Sequence, residues 1–180
     1  SSALFRSAMA ERNKAEDISR VLYPNDTTYN GKVLRVRQQY FFSSASLQDM
    51  IRTYKAIHGE DLGRFAEFNT VQLNDTHPVL AIPELMRLLM DENGMGWDEA
   101  WRVTCDCFAY TNHTTLEEAL ERWDVSIFRL LFPRILQIVE EIDRRFREDM
   151  RERGFFNDRI EAMAPLSGHE VRMAWIACYA

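Results

Sequence analysis

The chain of 180 residues is long enough to bury one sizeable hydrophobic core. Its composition, 46% hydrophobic and 28% charged, is that of an ordinary globular protein. A formal net charge of −6 argues against a nucleic-acid-binding protein, which normally presents a basic face. No apolar run approaches the length of a membrane span. We therefore expect a protein without nucleic-acid or membrane partners.

The cysteines predict no cross-links and no metal site. Cys105, Cys107 and Cys178 follow no spacing that is typical of a disulfide framework. The pair Cys105 and Cys107 also lacks the second pair of ligands that a structural zinc site needs. Reduced thiols in a cytoplasmic protein are the expectation.

The first third of the chain predicts two helices separated by a loop. A helix over residues 8–22 should end near Pro24, because proline disfavours helical geometry in the residue before it. Turn-forming residues predict an exposed loop over residues 25–31. Residues 32–57 contain neither proline nor glycine and repeat apolar side chains at helical intervals, which predicts one long helix. Its aromatic run, residues 40–42, is expected in a hydrophobic core.

Residues 73–78, with the sequence LNDTHP, predict a turn between a strand and a helix. The preceding residues 70–73 alternate polar and apolar side chains as a buried strand does. Pro78 suits the first turn of a helix, where a missing N–H group has no partner to lose. Ligands of α/β proteins bind outside the carboxyl ends of strands, which makes Asp75 and His77 candidate binding residues.

Residues 110–114, with the sequence YTNHT, repeat this pattern. Residues 107–110 predict a short strand or the last apolar turn of a helix, and a following threonine is expected to cap the next helix. Two turns that each carry an Asn, a Thr and a His predict one polyhydroxyl or anionic ligand between them. The alternative is ordinary capping and loop chemistry, because Asn, Asp and Thr favour such positions for backbone reasons.

Helices are predicted again from Trp97, from Asp124 and from Pro133, the last ending at Gly154. The segment over residues 162–180 fits either a strand or a helix. Four carboxylates lie near the two turns in the sequence, namely Asp75, Glu117, Glu118 and Glu121. A retaining glycosidase would need two of them about 5 Å apart, which the sequence leaves open.

Seven stretches of the chain carry a resemblance to a known family. They are residues 21–26 (VLYPND), 34–41, 73–78 (LNDTHP), 82–87 (IPELMR), 110–114 (YTNHT), 118–121 (EALE) and 171–175 (VRMAW). In this order they resemble the α-glucan phosphorylases, which act on glycogen, starch or maltodextrin. Because the chain lacks an initiator methionine and stops inside an apolar run, we expect it to be an internal piece of a longer polypeptide.

The resemblance implies an α/β fold that is helix-rich, with short parallel strands and long helices. Residues 1–180 would form a single segment of the N-terminal lobe of a two-lobed (GT-B type) glycosyltransferase. The C-terminal, cofactor-binding lobe would lie outside this chain. The active site would lie in the cleft between the lobes.

The implied activity is phosphorolysis of terminal α-1,4-linked glucose by inorganic phosphate, which gives α-glucose 1-phosphate with retained configuration. The implied cofactor is pyridoxal phosphate, whose lysine is not in this segment. The full-length enzyme would be a cytoplasmic homodimer. The isolated 180 residues would be inactive, because the phosphate-binding, cofactor-binding and acid–base groups are missing.

His113 is implied as the catalytic residue of this segment. In the family its side chain bonds the 6-hydroxyl group of the glucosyl unit, and its main-chain carbonyl faces the anomeric carbon. A fixed dipole there stabilises the positive charge that develops in the transition state. The resemblance assigns Asp75 and His77 to the polar pocket on the β side of that sugar, and Asn112 to substrate binding.

Asn25 and Asp26 are implied as substrate-binding residues at the start of a mobile gate over the cleft, and their turn-rich surroundings suit a lid. Thr27 and Thr28 depart from the residues that are frequent in the family. The animal enzymes bind a nucleotide activator through paired arginines, but at these positions this chain has Arg52 followed by Thr53. Allosteric regulation of the animal type is therefore not implied.

Two other classes of function stay open. The chain could be a truncated, non-catalytic module that binds glucan or a partner protein. It could also belong to a retaining glycosidase, which would hydrolyse its substrate without added phosphate or a cofactor.

Overall fold

The computed structural model describes residues 2–21 and 24–180. The helices are α1 (Ser2–Arg20), α2 (Tyr29–His58), α3 (Phe65–Phe68), α4 (Ala81–Arg87), α5 (Trp97–Cys107), α6 (Val125–Leu131), α7 (Pro133–Glu152), α8 (Asn157–Met163) and α9 (Met173–Tyr179). The strands are β1 (Val71–Asn74), β2 (Phe108–Thr111), β3 (Arg122–Asp124), β4 (Leu166–Ser167) and β5 (Glu170–Arg172). This helix-rich fold with a few short strands agrees with the predicted α/β class.

The chain divides into two compact units, one ending at Phe42 and one comprising Ser43–Ala180. In the first unit, the side-chain amide of Gln38 donates hydrogen bonds to the main-chain oxygens of Ile18, at 3.1 Å, and of Val21. These bonds join the end of α1 to α2. The aromatic residues Phe41 and Phe42 are about half exposed, so the prediction that they lie in a core was wrong.

The loop between α1 and α2 forms tight turns, as its composition predicts. Asn25 Oδ1 accepts a hydrogen bond from the Thr27 N–H at 3.0 Å, and Thr28 Oγ1 accepts one from the Gly31 N–H at 3.1 Å. The Asn25 carbonyl oxygen approaches Gly31 so closely that a Cβ atom there would lie 1.7 Å away. Glycine at this position therefore permits the turn.

The core of the second unit lies around α4 and α7. Every residue of α4 except its last, Arg87, is buried. The amphipathic α7 buries a stripe at helical spacing, made of Ile135, Leu136, Ile138, Val139, Ile142, Phe146 and Met150. Pro133 begins α7, and Gly154, with a φ of 83°, lies just beyond its end, as predicted.

Strands β1 and β2 form a parallel pair, in which Val71 is opposite Phe108 and Asn74 is opposite Thr111. Parallel strands need a long crossover connection, and here α4, a π-helical turn over Leu88–Glu92 and α5 supply it. The predicted strand before the first turn is confirmed, and the residues before the second turn form a strand.

The second sheet has the order β3–β5–β4 and is antiparallel throughout, whereas the sequence predicted parallel strands. The antiparallel strands β4 and β5 are joined by a two-residue hairpin loop that begins with Gly168, which has a φ of 58°. Glycine at the first position of a two-residue loop is typical of tight antiparallel hairpins. The open choice for residues 162–180 therefore resolves into a hairpin followed by a short helix.

Two predicted helix starts differ from the structure. The helix after Pro78 begins only at Ala81, because residues 76–82 first form tight turns, among them the bond from the Ala81 N–H to the Pro78 oxygen at 2.9 Å. The helix predicted after the second turn is a single 3-10 turn, Glu117–Ala119, preceded by Leu116 without a side-chain cap. At the second place the Thr114 hydroxyl accepts from the Leu116 N–H at 3.1 Å, a local turn bond that replaces the predicted threonine cap.

Candidate active site

The parallel pairing of β1 and β2 places the two turns side by side. We call residues 74–77 the first turn and residues 111–113 the second turn. Because Asn74 and Thr111 are opposite each other at the carboxyl ends of the strands, both turns begin at the same edge of the sheet. This is the edge at which α/β proteins bind their ligands.

Two hydrogen bonds from Asp75 join the turns. The Asp75 N–H donates to the Thr111 oxygen at 2.8 Å, and Asp75 Oδ1 accepts from the His113 N–H at 2.9 Å. Asp75 has a φ of 61°, which makes it the one non-glycine residue with positive φ within residues 2–21 and 24–180. Aspartate and asparagine tolerate this left-handed conformation better than most residues do.

Thr76 fixes the first turn to the chain beyond the second. The residue is 2% exposed, and its hydroxyl donates to Glu121 Oε2 at 3.0 Å while accepting from the Glu121 N–H at 3.4 Å. The Glu121 carbonyl oxygen accepts in turn from the Met173 N–H at 3.2 Å. The site is thereby connected to the antiparallel sheet region.

Asn112 closes the second turn on itself. Its Oδ1 accepts from the Thr114 N–H at 3.1 Å, and its Nδ2 donates to the Thr114 oxygen at 2.9 Å. The Leu116 N–H then donates to Thr114 Oγ1 at 3.1 Å. Both polar atoms of the Asn112 side chain thus hold the turn in which His113 lies.

An open cavity of about 240 Å³ lies between the turns. Its lining residues are Asp75, Thr76, His77, Asn112, His113, Thr114, Ala119 and Leu120. The volume is slightly below the roughly 300–1,000 Å³ of pockets for drug-sized ligands, so it suits a ligand as small as one sugar ring. His77 and His113 are both exposed, and their side chains are accessible to such a ligand.

The structure brings four of the predicted site residues to one cavity, namely Asp75, His77, Asn112 and His113. The other two, Asn25 and Asp26, lie in the loop of the first unit. There Asp26 Oδ2 lies 3.9 Å from Arg35 Nε, and the side chain of Asn25 closes a turn.

The lining of the cavity is polar and contains neither Lys nor Arg. Hydroxyl groups find both donors and acceptors there, whereas the bidentate partner that Arg offers to a phosphate group is missing. Asp75 is the one carboxylate among the lining residues. Glu117 instead pairs with Arg122 at 2.5 Å, so the lining does not favour the pair of carboxylates that a glycosidase needs.

The side chains of the cavity do not match the needs of pyridoxal phosphate. Within residues 2–21 and 24–180, no group of three or more His, Cys, Asp or Glu side chains could hold a metal ion. The lysines of the chain are Lys14, Lys32 and Lys55, and none lines the cavity. Its residues therefore do not fit pyridoxal phosphate, which needs a Schiff-base lysine and cationic phosphate ligands.

Burial raises the pKa values of two neighbouring groups. It raises the pKa of Tyr110 in β2, and Cys178 and Asp75 raise that pKa further by smaller amounts. Burial also raises the pKa of the Cys107 thiol, which directly precedes β2, to about 11. The sheet beneath the turns therefore adds no charge at neutral pH from these two groups.

The family model described as carbohydrate phosphorylase matches residues 1–180. The chain belongs to the carbohydrate phosphorylase family. This finding confirms the resemblance that the seven sequence stretches predict.

Named relatives of the family are similar over most of the chain. The wheat (Triticum aestivum) protein "Alpha-glucan phosphorylase, H isozyme" is 50% identical over 179 residues, which cover 94% of this chain and 22% of that protein. The Arabidopsis thaliana protein "Alpha-glucan phosphorylase 2, cytosolic" is 52% identical over 90% of this chain and 20% of its own length. The human "Glycogen phosphorylase, muscle form" is 53% identical over 77% and 17% respectively. The chain thus spans about a fifth of the length of these carbohydrate phosphorylases.

Two residues of the site were not among the predicted ones. Thr76 and Glu121 form the bond that holds the first turn, yet both lie inside stretches that carry the family resemblance. Nothing in the sequence singles out Thr76, because its burial is visible only in the structure and its partner is 45 positions away in sequence. None of the helices in the part of the chain that is described is long and apolar enough to cross a bilayer.

Proposed function

We propose that this chain forms the sugar-facing side of the active site of an α-glucan phosphorylase. The reaction is cleavage of terminal α-1,4-linked glucose by inorganic phosphate to give α-glucose 1-phosphate. The observation that carries the proposal is the single polar cavity lined by His77 and His113, which lie on turns that are distant in sequence. The names of the relatives, all of them glucan or glycogen phosphorylases, support the same substrate class.

In the proposed complex the terminal glucosyl unit occupies the cavity between the turns. The side chain of His113 bonds the 6-hydroxyl group, and the His113 carbonyl dipole faces the anomeric carbon, where it stabilises developing positive charge. Asp75 and His77 line the cavity on the other side of the sugar. Asn112 contributes to substrate binding through the turn that it closes.

The phosphate side of the reaction is proposed to lie outside this chain. The lining residues include neither Lys nor Arg, which are the usual phosphate-binding side chains. Pyridoxal phosphate and inorganic phosphate would therefore be held by another part of the enzyme. We accordingly expect the 180 residues alone to give no glucose 1-phosphate from glucan and phosphate.

The wider architecture belongs to the same proposal. The chain would be a segment of the N-terminal lobe of a two-lobed (GT-B type) enzyme that is cytoplasmic and homodimeric. Asn25 and Asp26 would belong to a gate over the cleft, a role that suits a loop held by short turn bonds rather than by buried side chains.

The proposal is tested on the full-length enzyme that carries these residues, by measuring phosphorolysis of maltoheptaose. His113→Ala should lower kcat/KM by about 100-fold, because the side-chain hydrogen bond to the 6-hydroxyl group is lost in the transition state. His169→Ala, which changes an exposed histidine of the β4–β5 hairpin, should leave kcat/KM within about twofold of the wild type. An unchanged kcat/KM in His113→Ala would contradict the proposal.

A modified substrate sharpens this test. Maltoheptaose with a 6-deoxy terminal glucose should react more slowly with the wild-type enzyme, because it lacks the hydroxyl group that His113 is proposed to bond. The His113→Ala variant should cleave the 6-deoxy substrate as fast as it cleaves normal maltoheptaose, since two changes that remove the same interaction are not additive. Additive losses would assign the 6-hydroxyl contact to another residue.

The alternative, a non-catalytic glucan-binding module, makes a different prediction for the full-length protein that carries these residues. It predicts saturable binding of maltoheptaose without any phosphate-dependent release of glucose 1-phosphate. Release of glucose 1-phosphate that requires added phosphate would exclude this alternative, and release of free glucose without phosphate would support a glycosidase instead.

A further inference from the structure

Asp75 is held in a conformation that most residues avoid. Its φ of 61° lies in the left-handed region, and its N–H donates to the Thr111 oxygen at 2.8 Å. This bond extends the parallel ladder by one step beyond the pair of Asn74 and Thr111. A residue that turns here can place its side chain across the gap to the second turn.

From this position the Asp75 carboxylate reaches the second turn. Its Oδ1 accepts the His113 N–H at 2.9 Å across 38 positions of sequence. A hydrogen bond from an amide to a carboxylate is about twice as strong as one between neutral groups. On the other side of His113, the Asn112 side chain bonds both main-chain polar atoms of Thr114. The main chain of His113 is therefore held from both directions.

We propose that Asp75 is a positioning residue, which fixes the main chain of His113 without contacting the reacting atoms. The inference rests on the proposed function, in which the His113 carbonyl faces the anomeric carbon. A dipole stabilises a transition state only while its position is fixed, and a displacement of about 1 Å can cost about 100-fold in rate. The role deepens the general assignment of Asp75 to the sugar pocket, because its Oδ1 is already engaged by protein.

Two substitutions separate position from charge. Asp75→Gly removes the acceptor but tolerates the positive φ, so its effect does not come from backbone strain. Asp75→Asn also tolerates the conformation and keeps an oxygen at the Oδ1 position, while it removes the charge. We expect Asp75→Gly to lower kcat of the full-length enzyme by about 10- to 100-fold, with KM for maltoheptaose changed less than about threefold. Asp75→Asn should restore kcat to within about fivefold of the wild type.

Hydrogen exchange gives a readout that does not depend on catalysis. In the full-length enzyme, a peptide covering residues 110–116 should exchange faster in Asp75→Gly, because the His113 N–H loses its acceptor. In Asp75→Asn the exchange of this peptide should match the wild type. Equal exchange in all three proteins would overturn the inference.

The kinetic outcomes distinguish this inference from the proposed function. If His113→Ala lowers activity and Asp75→Gly does not lower kcat, the positioning role is wrong while the proposed function stands. If His113→Ala has no effect, the proposed function itself is wrong. A raised KM with unchanged kcat in Asp75→Gly would overturn positioning in favour of direct contact between Asp75 and the substrate. An Asp75→Asn variant as impaired as Asp75→Gly would overturn it in favour of a role for the Asp75 charge.

Discussion

The parallel pair β1–β2 and the antiparallel sheet β3–β5–β4 belong to the same unit, but their surroundings are held by different means. Beside the parallel pair, Asp75 and Asn112 join exposed turns by a few hydrogen bonds to main-chain groups. Beside the antiparallel sheet, the buried Arg172 donates from all three guanidinium nitrogens to the main-chain oxygens of Glu161, Ala162 and Ala164. The first arrangement leaves polar groups accessible to a ligand, whereas in the second all three guanidinium nitrogens donate to the protein itself.

The comparison separates positions that should change activity from positions that should change stability. A buried cation that satisfies otherwise unpaired carbonyl groups contributes to the free energy of unfolding. Exposed turn residues contribute less to it, because water can replace the bonds that they lose. The following predictions test this separation in order of decreasing effect on stability.

Arg172→Met should have the largest effect. It keeps much of the side-chain volume beside Trp175 but leaves the oxygens of Glu161 and Ala164 without this donor, while Trp175 Nε1 still donates to the Ala162 oxygen at 3.2 Å. We expect a loss of about 3 kcal/mol in the free energy of unfolding, measured by urea denaturation. The exposed Arg129→Met is the matched control, and a loss in Arg172→Met no larger than in this control would break the comparison.

Glu84→Gln should have the next largest effect. The fully buried carboxylate of Glu84 accepts from Ser44 Oγ at 2.6 Å and from Arg87 Nε and Nη2 at 2.8 Å. An amide cannot accept from all three donors, and the Arg87 charge would lose its partner in α4. We expect a loss of about 2 kcal/mol by the same measurement. Glu140→Gln, an exposed change on α7, should cost far less.

Thr76→Val tests the link between the two sheets. Valine fills the same space but lacks the hydroxyl group that bonds Glu121. The expected loss is about 1 kcal/mol, the usual contribution of one hydrogen bond with a partly buried partner. The exposed Thr115→Val serves as the control in the same denaturation series. A neutral Thr76→Val would show that the first turn is held by its main chain alone.

Glu141→Gln should have the smallest effect, and a pH-dependent one. Arg144, and after it Arg145, lower the pKa of Glu141 to about 2 by hydrogen bonding. A lowered pKa stabilises the fold above the ordinary value of 4.5, and this contribution disappears as the pH falls towards 2. Because the pair is at the surface, the difference from the wild type should be below about 0.5 kcal/mol at pH 7. Thermal unfolding at pH 7 and pH 3 checks it, and a difference that grows on acidification would contradict the assigned cause.

The sequence could predict the long helices, since α7 has strong periodicity and clear end signals, and residues 32–57 of α2 contain neither proline nor glycine. It also predicted that the segments before and after residues 73–78 are a strand and a helix, and the strand at β1 is confirmed. The antiparallel sheet could not be predicted, because β3, β4 and β5 have only two or three residues each. Periodicity cannot be read from so few positions, and the pairing of such strands depends on contacts that are distant in sequence.

The candidate site could be predicted in its residue types but not in its connections. Asparagine, aspartate, threonine and histidine in two similar turns indicated polar chemistry, and four of the predicted residues line one cavity. The left-handed conformation of Asp75 leaves no sequence signal, because aspartate is common in ordinary caps as well. The bonds from Asp75 to His113 and from Thr76 to Glu121 span 38 and 45 positions, so only the pairing of β1 with β2 reveals them.

The absence of a side chain at Gly31 offers a way to alter the loop of Asn25 and Asp26 without changing either of them. A methyl group at position 31 would collide with the Asn25 carbonyl oxygen, so the loop and the start of α2 could not both keep their places. Gly31→Ala would therefore displace two polar side chains while every functional group in the chain is retained. Enzyme engineers could use this single position to change loop motion separately from loop chemistry.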